Sequence, residues 1–424
     1  MTQLLEILEK LNPWWEGKGF EIGLIRGKYL EKINNYIKTG EIVILTGVRR
    51  AGKTTLLFQT INDLIKKGVN PKHILFVNFD EADIANINNP IKTILNSYYQ
   101  EVCDDPAYLI FDEIQNIENW ERWAKTIHDQ KKHQLILSGS SSHLLDSKLA
   151  TLISGRYLKI NIFPLDFREY LGFNNLKEVK DKLAMISSKN KIMRLLKNYL
   201  IEGGFPQVAL QQNKNLKREY LKTYYESIVY RDILSMHDVR HTKIMRELIY
   251  YLFSNFTKLY SYKKLTELLK IDFTTVKEYL AYIEDSRMLS ELCIFSYSLK
   301  MQSRNNKKIY CIDNGLRNAV SFKFSKDEGK LAENLVFIEL KRREKDIYYW
   351  KETHEVDFII KDKGNNLTAI NVSYTDETKE REINSLLEFK KEFRKTRELI
   401  LLTKDTEKKE QGIGFIPLLK WLLR

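Results

Sequence analysis

Cysteine is scarce in this chain of 424 residues. Its three cysteines, Cys103, Cys293 and Cys311, have no paired spacing, so the sequence indicates neither a disulfide framework nor a zinc site. No segment approaches the roughly eighteen consecutive apolar residues that a membrane-spanning helix needs. The first residues, Met1–Leu11, contain acidic side chains and are amphipathic, unlike a signal peptide. We therefore expect no membrane association and a location in the reducing cytoplasm.

The overall composition indicates folded domains with a basic surface. Hydrophobic residues make up 43% of the chain and aromatic residues 12%, which favours packed cores over disorder. The length suggests two or three domains. The 69 basic residues exceed the 56 acidic ones, for a net charge of +13. This excess suits a polyanionic partner such as nucleic acid, and the alternative is that it only aids solubility.

A glycine-rich stretch, Gly47–Thr55, matches the phosphate-binding P-loop pattern G-x-x-x-x-G-K-[ST]. A short apolar run precedes it and an amphipathic helical pattern over Leu56–Lys67 follows, which is the strand–loop–helix order that the motif requires. Backbone N–H groups would cradle the phosphates of ATP, Lys53 would reach the β- and γ-oxygens, and the Thr54 hydroxyl would ligate Mg²⁺. The predicted nucleotide-binding residues are Gly47, Val48, Arg49, Arg50, Ala51, Gly52, Lys53, Thr54 and Thr55.

Four further strand-like runs follow the P-loop, with helical segments or long connections between them. The runs are His73–Phe79, Ala107–Phe111, Gln134–Ser138 and Leu158–Phe163. Alternating strands and helices predict a parallel sheet that binds its ligand beyond the carboxyl ends of the strands.

The second of these runs ends in the acidic pair Asp112-Glu113, which is a Walker B motif. The apolar strand would deliver Asp112 beside the P-loop, where its carboxylate holds Mg²⁺ directly or through water. Glu113 would then orient and deprotonate the water that attacks the γ-phosphate. An Asp-Glu pair at this place indicates a hydrolysing enzyme rather than a nucleotide kinase.

Several polar residues near the predicted site have two interpretations each. Ser138 and Ser140 either sense the γ-phosphate or belong to a serine-rich loop that caps the next helix. Arg156 either stabilises transition-state charge, in cis or across a subunit interface, or forms a structural salt bridge. Arg26 either approaches the adenine side or lies on the surface, and the surface position is favoured. The pair Trp14-Trp15 is predicted to be a packing plug rather than an exposed aromatic handle.

The middle of the chain is predicted to be helical and then to resemble a winged helix-turn-helix. Residues 163–231 have a mostly helical pattern, interrupted by a turn at Gly203–Pro206. Helices are predicted over Lys243–Phe256, Tyr262–Leu269 and Thr274–Asp285. The third would bring Thr274, Thr275 and Lys277 to DNA base edges, and a basic hairpin containing Lys300, Arg304, Lys307 and Lys308 would touch phosphates. A winged helix that docks proteins is the alternative.

With these motifs identified, the chain resembles archaeal and bacterial AAA-type ATPases that carry a conserved C-terminal domain of unknown function. The resemblance spans nearly the whole chain. Its matching segments are Asn12–Trp15, Gly47–Thr55, Phe111–Glu113, Gly139–Ser142, Pro164–Glu169, Gly203–Pro206, Tyr230–Ile233, Lys308–Tyr310 and Glu355–Phe358. It implies an N-terminal AAA-type domain, a helical lid, a winged helix and a C-terminal domain similar to PD-(D/E)XK nucleases.

The nuclease likeness is incomplete when it is checked by residue. An active enzyme of that class needs an acidic residue on its first helix, an aspartate on the second strand and Glu/Gln-x-Lys on the third. Glu333 and Asp357 fill the first two places, but the third strand has Asn371–Ser373 there. Lys361 and Lys363 lie nearby at the wrong spacing. A degenerate nuclease fold kept for DNA or protein contact is favoured over an active nuclease.

The resulting prediction is an α/β protein whose P-loop AAA-type parallel sheet and helical lid precede a winged helix and a small α/β nuclease-like domain. The predicted domains are 1–165, 166–238, 239–322 and 323–424. The first functional hypothesis is an oligomeric ATPase that uses ATP and Mg²⁺ and is coupled to DNA. The alternatives are a STAND-like nucleotide switch acting on proteins and a metal-dependent nuclease.

Overall fold

The computed structural model describes residues 2–105, 107–139, 152–176, 189–321, 328–375 and 380–424. The chain divides into two compact units, residues 1–162 and 163–424. Their boundary lies three residues before the one predicted after residue 165. The boundary predicted after residue 322 lies outside the described residues, so the division of the second unit into smaller domains stays a prediction.

The first unit is built on a five-stranded parallel sheet. Its elements are α1 (Thr2–Leu11), α2 (Gly27–Ile37), β1 (Ile42–Gly47), α3 (Lys53–Lys66), β2 (Ile74–Asn78), α4 (Ala82–Ala85), α5 (Pro90–Glu101), β3 (Tyr108–Asp112), α6 (Trp120–Asp129), β4 (Gln134–Gly139) and β5 (Tyr157–Ile162). The strand order is β2-β3-β4-β1-β5, and every neighbouring pair is parallel. Every residue of β1 is buried, as expected for a strand covered on both faces. The predicted parallel sheet is confirmed.

The strand order brings the ends of β1, β3 and β4 together at one edge of the sheet. β4 lies between the P-loop strand and the Walker B strand, because it pairs with β1 on one side and with β3 on the other. Ser138 is in register with Leu45, and Leu137 is in register with Phe111. The residues that follow these positions therefore meet at the carboxyl edge, where parallel sheets bind ligands.

The N-terminal segment covers the outer strand of this sheet. The Asn12 side chain hydrogen-bonds like a strand residue: its Nδ2 donates to the Phe76 carbonyl at 2.9 Å, and the Phe76 N–H donates to its Oδ1 at 2.7 Å. The indole N–H groups of Trp14 and Trp15 both donate to the Ile74 carbonyl. Both tryptophans are buried, so the predicted packing plug is confirmed. It protects part of an edge strand that would otherwise present unpaired backbone groups.

The second unit begins with helices and ends with a mixed sheet. Its helices are α7 (Phe167–Phe173), α8 (Lys189–Glu202), α9 (Pro206–Leu210), α10 (Lys214–Ser227), a π-helical segment (Ile228–Leu234), α11 (Thr242–Ser254), α12 (Tyr262–Leu269), α13 (Phe273–Asp285), α14 (Leu299–Arg304), α15 (Asn314–Val320), α16 (Glu328–Arg342), α17 (Glu380–Glu392) and α18 (Leu418–Leu422). Its strands are β6 (Leu259–Tyr260), β7 (Leu289–Leu292), β8 (Lys307–Cys311), β9 (Asp346–Lys351), β10 (Glu355–Lys361), β11 (Leu367–Ser373), β12 (Thr396–Thr403), β13 (Lys408–Glu410) and β14 (Ile413–Pro417).

The three helices predicted for the winged helix are present as α11, α12 and α13, and the antiparallel sheet β6-β8-β7 accompanies them. The basic hairpin predicted between the last two strands is wrong, because the helix α14 occupies that connection. Ser298 caps this helix by accepting a hydrogen bond from the Met301 N–H, which gives the segment a helical start. The winged-helix assignment itself stays a prediction.

The last sheet has the order β13-β14-β12-β11-β10-β9. The sequence pattern predicts β9 to β12 and misses β13, β14 and α18. The predicted runs are Asp346–Trp350, Glu355–Ile360, Leu367–Val372 and Glu398–Leu402, with helices over Lys330–Arg343 and before Phe393. The segment after β7 joins this sheet: the Phe295 N–H donates to the Tyr349 carbonyl, and the Tyr349 N–H donates to the Cys293 carbonyl. None of the described helices combines the length and apolar character needed to cross a membrane.

Replacing Asn12 with alanine should loosen the outer edge of the first sheet. The buried N–H and carbonyl of Phe76 would both lose their partner, at a cost of about 1–3 kcal/mol for each unsatisfied group. We expect faster hydrogen–deuterium exchange at the Phe76 amide and a lower thermal unfolding midpoint. Asn70→Ala is the matched control, because in the described structure the Asn70 side chain makes one exposed hydrogen bond, which it accepts from the Lys72 N–H. Unchanged exchange at Phe76 would contradict the edge role of Asn12.

Candidate functional site

The loop between β1 and α3 has the backbone that a phosphate cradle needs. Gly47 has φ of 157° and Gly52 has φ of 96°, both in the region that favours glycine. A Cβ atom on Gly47 would lie 2.2 Å from the carbonyl oxygen of Ile162, so no larger residue fits there. The helix α3 begins at Lys53, directly after the second glycine. The N–H groups of its first turn lack helical acceptors, which makes this helix start suited to an anion.

The side chain of Lys53 lies within this loop. It is buried, and its ammonium donates to the carbonyl of Gly47 at 3.0 Å and to that of Val48 at 3.3 Å. A buried ammonium beside N–H groups that lack helical acceptors gives the loop a concentrated positive potential. This is the charge that a triphosphate requires.

The carboxylate of Asp112 joins the Walker B strand to the P-loop helix. The Thr54 hydroxyl donates to its Oδ2 at 2.6 Å, and the Ser138 hydroxyl donates to its Oδ1. Burial raises the pKa of Asp112, and the charge of Glu113 raises it further, against the hydrogen bonds from Ser138 and Thr54. Hydroxyl and carboxylate oxygens are the ligands that Mg²⁺ prefers. The residues present therefore fit the predicted metal.

Glu113 leaves the strand in an unusual backbone conformation. It has φ of 51° and ψ of 43°, in the left-handed region, which a residue with a side chain adopts at some cost. Its carboxylate accepts a hydrogen bond from the side-chain amide of Gln115. Backbone and hydrogen bond together fix where this carboxylate points. The sequence analysis missed Gln115, because its only signal is its position two residues after the acidic pair.

Arg26 was predicted to lie on the surface, and this is wrong. Its guanidinium is buried and donates to the carbonyl of Ala51 in the P-loop at 2.8 Å. Its backbone N–H donates to Gln59 of α3, and the Gln59 side-chain amide in turn donates to the carbonyls of Ile22 and Leu24. The segment before α2 therefore braces both the loop and its helix. No spacing in the sequence indicates such a contact across 25 residues.

Arg156 lies at the opposite end of the strands from the P-loop. Its carbonyl accepts from the N–H of Ile42 at the start of β1, whereas the P-loop follows the end of that strand. At about 3.3 Å per residue, the two ends of β1 are about 16 Å apart. The guanidinium pairs with Asp129 at 3.0 Å. The cis interpretation of Arg156 is therefore corrected, and a structural salt bridge is present. Ser140 lies outside the described residues.

A second group of buried charges lies in the second unit, around the ammonium of Lys308. This ammonium contacts carboxylate oxygens of three residues: Glu333 at 3.0 Å, Glu355 at 2.6 Å and Asp357 at 3.2 Å. The Tyr310 hydroxyl also donates to Glu333, at 2.8 Å. Lys308 and Tyr310 are two residues apart on β8, so their side chains share one face of the strand. We call these five residues the Lys308 cluster.

The Lys308 cluster corrects two predictions. Lys308 was expected to touch DNA phosphates from an exposed hairpin, but its side chain is only 2% exposed. The neighbouring Lys307 is also buried, with its ammonium 4.8 Å from the centre of the Tyr262 ring. The comparison with PD-(D/E)XK nucleases found no lysine on the third strand of that motif. In the structure, Lys308 of β8 lies beside Glu333 and Asp357 instead. The sequence signal for this position was weak, because Lys307 and Lys308 together begin a short apolar run.

The charges within the Lys308 cluster are unequal. Burial raises the pKa of Glu333 to about 8, and the neighbouring Asp357 adds to this effect. Burial also raises the pKa of Asp357. Burial opposes the charged form of Glu355 as well, but there the Lys308 ammonium outweighs it and the pKa is lowered. These shifts favour a proton within the Glu333–Asp357 pair, which reduces the negative charge that the one ammonium must compensate.

The start of α13, predicted to meet DNA bases, has acidic surroundings. Asp272 caps this helix, accepting from the Thr275 N–H at 3.0 Å and from the Thr275 hydroxyl at 2.6 Å. Asp238 and Glu278 line the same depression of about 440 Å³, together with Arg240 and His241. Three carboxylates against one arginine leave this lining with an excess of negative charge, which disfavours contact with DNA phosphates.

Comparisons with known proteins agree with the geometry of the first site. A family model described as an AAA domain matches residues 39–171. Models of two domains of unknown function, DUF8612 and DUF4143, match residues 193–327 and 328–421. The chain is 34% identical over 408 residues to the uncharacterized protein MJ1544 of Methanocaldococcus jannaschii, covering 90% of this chain and 88% of that protein. The chain belongs to the family of MJ1544.

Two other matches extend the comparison. An uncharacterized protein of Haemophilus influenzae is 29% identical over 412 residues, covering 94% of this chain and 98% of that protein. Among solved structures, the Walker-type ATPase PABY2304 of Pyrococcus abyssi matches 70% of this chain and 95% of its own, with 14% identity and a TM-score of 0.46. The family match over residues 39–171 shows that the chain carries an AAA-type P-loop domain.

The raised pKa of Glu333 makes stability depend on pH. In the unfolded chain this carboxyl loses its proton near its ordinary pKa of about 4.3, whereas in the folded chain its pKa is about 8. Between these values the folded chain holds more protons, so stability falls as pH rises. Glu333→Gln stays neutral at every pH. Its thermal unfolding midpoint should therefore fall less than that of the wild type between about pH 5 and about pH 8.

Glu247→Gln is the control for this comparison, because Glu247 is exposed on α11. Burial also raises the pKa of Asp313, to about 6, but this residue is present in all three proteins and its effect cancels in the differences. Equal losses of stability in the wild type and in Glu333→Gln would show that Glu333 does not titrate in this range.

Proposed function

We propose that this chain binds ATP together with Mg²⁺ and hydrolyses it to ADP and phosphate. The observation that carries the proposal is the buried Asp112 carboxylate, which the Thr54 hydroxyl of the P-loop holds at 2.6 Å. This contact joins the two motifs that a P-loop enzyme needs, and Glu113 follows directly in sequence. The matched AAA domain over residues 39–171 supports the same activity.

Each residue has a definite task in this proposal. The N–H groups of Gly47–Thr55 and the Lys53 ammonium bind the triphosphate and neutralise its charge. Thr54 and Asp112 hold Mg²⁺, which supplies positive charge to the phosphate oxygens. Glu113 accepts the proton of the attacking water, and the Gln115 amide orients its carboxylate. Arg26 keeps the loop in place through the Ala51 carbonyl and does not react.

We further propose that ATP-bound copies of the chain assemble. Arg156 lies at the sheet edge away from its own P-loop, and its side chain is 37% exposed. We therefore propose that it reaches a nucleotide on a neighbouring copy rather than its own. This would require it to exchange its ion pair with Asp129 for the phosphates, which carry more charge.

DNA is the partner that the charge distribution supports. Of the 69 basic and 56 acidic residues, 49 basic and 37 acidic ones lie in residues 163–424, so this unit carries +12 of the net +13. The AAA-type unit is nearly neutral. A polyanion would therefore bind the second unit, and ATP hydrolysis in the first would act on that complex.

Replacing Glu113 with glutamine should stop hydrolysis and retain ATP. Gln keeps the size of the side chain but cannot accept the proton, so we expect the steady-state hydrolysis rate to fall by about 100-fold or more. Lys53→Ala should instead abolish nucleotide binding, measured with a fluorescent ATP analogue. Native mass measurements on Glu113→Gln with ATP and Mg²⁺ should show the assembled form, whereas Lys53→Ala should stay unassembled.

Glu118→Gln is the matched control, since Glu118 is exposed five residues further along and should hydrolyse ATP at the wild-type rate. Wild-type turnover in Glu113→Gln would contradict its role as the base. An ATP-loaded Glu113→Gln protein with the mass of one chain would contradict assembly. Slow turnover with tightly held ADP and no response to DNA would favour the STAND-like switch.

Binding of DNA should weaken steeply with salt, because phosphate contacts release counterions. If the second unit contacts ~5 phosphates of a duplex, a fourfold rise in salt should lower the affinity ~500-fold. Fluorescence anisotropy with labelled DNA at several salt concentrations measures this slope. An affinity that does not change with salt, or no binding at low salt, would contradict the DNA partner.

A further inference from the structure

A rigid aromatic cluster in the second unit ends in an exposed tyrosine. Phe393 packs against Phe295, Phe389 and Trp350, with ring centres 4.6–6.5 Å apart. Tyr297 lies at the outer end, 5.4 Å from Phe295 and 6.3 Å from Phe393. Its side chain is 66% exposed. A large ring fixed from behind and open to solvent is a platform on which another flat ring can stack.

Positive charge surrounds this platform. Tyr297 and Phe393 line an open pocket of about 570 Å³ together with Lys361, Arg394 and Lys395. Within the described parts of the chain, none of these three cationic side chains forms an ion pair. One carboxylate, that of Glu392, also lines the pocket, so the lining keeps an excess of positive charge.

The pocket also offers a neutral polar group. Asn365 lines it at the turn between β10 and β11, where Asp362 and Asn366 hold the backbone by hydrogen bonds. The Asn365 side chain has no hydrogen-bond partner in the part of the chain that the structure describes. An amide can both donate to and accept from the edge of a nucleobase.

We propose that this pocket binds single-stranded nucleic acid. A base stacks on the exposed face of Tyr297, while Lys361, Arg394 and Lys395 contact the phosphates on either side. Stacking on an aromatic side chain together with a basic groove is the general way in which proteins hold single strands. A duplex fits this surface less well, because its bases already stack on each other and leave no free face. The inference rests on the proposed DNA partner and replaces the start of α13 as its contact.

The surface next to the pocket supports a ligand with charged groups. The helix α14 follows Tyr297 directly, and its exposed Lys300 and Arg304 have no ion-pair partner in the described ranges. Leu299 and Met301 on the same helix are exposed as well. A nucleic acid strand can use both kinds of side chain, since its bases are flat and apolar and its backbone is charged. An apolar protein segment would leave the cations without partners.

The test is the binding of fluorescein-labelled oligothymidylate of about 20 nucleotides to the full chain, measured by anisotropy. Tyr297→Ala should weaken binding about tenfold, because one stacked base is lost. Tyr297→Phe should bind like the wild type, since the phenol hydroxyl takes no part in stacking. If Tyr297→Ala binds as tightly as the wild type, or if the wild type binds no oligonucleotide at low salt, the proposal is overturned.

The phosphate contacts have a separate readout. The double substitution Arg394→Gln with Lys395→Gln should reduce the salt slope of binding by about 1.4, which corresponds to two single-strand phosphate contacts. Lys214→Gln with Arg218→Gln is the matched control, because both side chains are exposed on α10 away from this pocket in sequence and the pair carries the same charge. An unchanged slope in the double variant would remove these two residues from the site. A labelled duplex that binds more tightly than the single strand and tolerates Tyr297→Ala would also overturn the stacking.

ATP hydrolysis and single-strand binding can be tested independently of each other. Lys53→Ala should bind the oligonucleotide like the wild type in the absence of ATP, and Tyr297→Ala should keep the basal rate of ATP hydrolysis. Loss of ATP hydrolysis with intact oligonucleotide binding would concern the first unit alone. Intact hydrolysis with no oligonucleotide binding would overturn the pocket and leave the ATPase standing.

Discussion

The carboxylate of Asp112 is the group on which the nucleotide site depends. A buried carboxylate is costly unless its oxygens are hydrogen-bonded or paired. Here β3 brings it to the end of the sheet, and two hydroxyls satisfy it, one from the P-loop helix and one from β4. The acid and its two partners come from three different parts of the sequence. The requirement to satisfy one acid therefore holds the loop, the Walker B strand and the end of β4 in a fixed relation.

The Lys308 cluster solves a similar problem in a different way. Three carboxylates meet in the second unit, and the chain supplies its own cation from β8 to compensate them. In the Asp112 site the partners are neutral hydroxyls, so a divalent cation can still be accommodated there. In the Lys308 cluster an ammonium is already present among the carboxylates. In the first unit the carboxylate can thus bind a divalent cation, whereas in the second unit the carboxylates are already paired with Lys308.

The sequence was sufficient where a local pattern carries the information. The P-loop, the Walker B pair and the strands of the parallel sheet follow from glycine spacing and apolar runs, and the structure contains these elements. It was insufficient where the decisive contact joins distant segments. Arg26 meets Ala51 across 25 residues, and Lys308 meets Asp357 across 49. A contact over such a separation produces no periodic pattern in the sequence, and both residues look like ordinary surface cations. The interpretations of Arg156 stayed open for a related reason, because only the strand register shows at which end of the strands it lies.

The Lys308 cluster also bears on how the second unit is divided. The two models of domains of unknown function meet between residues 327 and 328, yet Lys308 and Tyr310 lie before that point and their carboxylate partners after it. The backbone of Phe295 pairs with that of Tyr349 across the same point. Phe295 also packs among the aromatic side chains of the last sheet. Separating the two segments would expose a buried ammonium, several carboxylates and an aromatic core. We therefore expect residues 193–421 to fold as one body, and the proposed strand-binding pocket depends on this, because Tyr297 comes from one segment and Phe393 from the other.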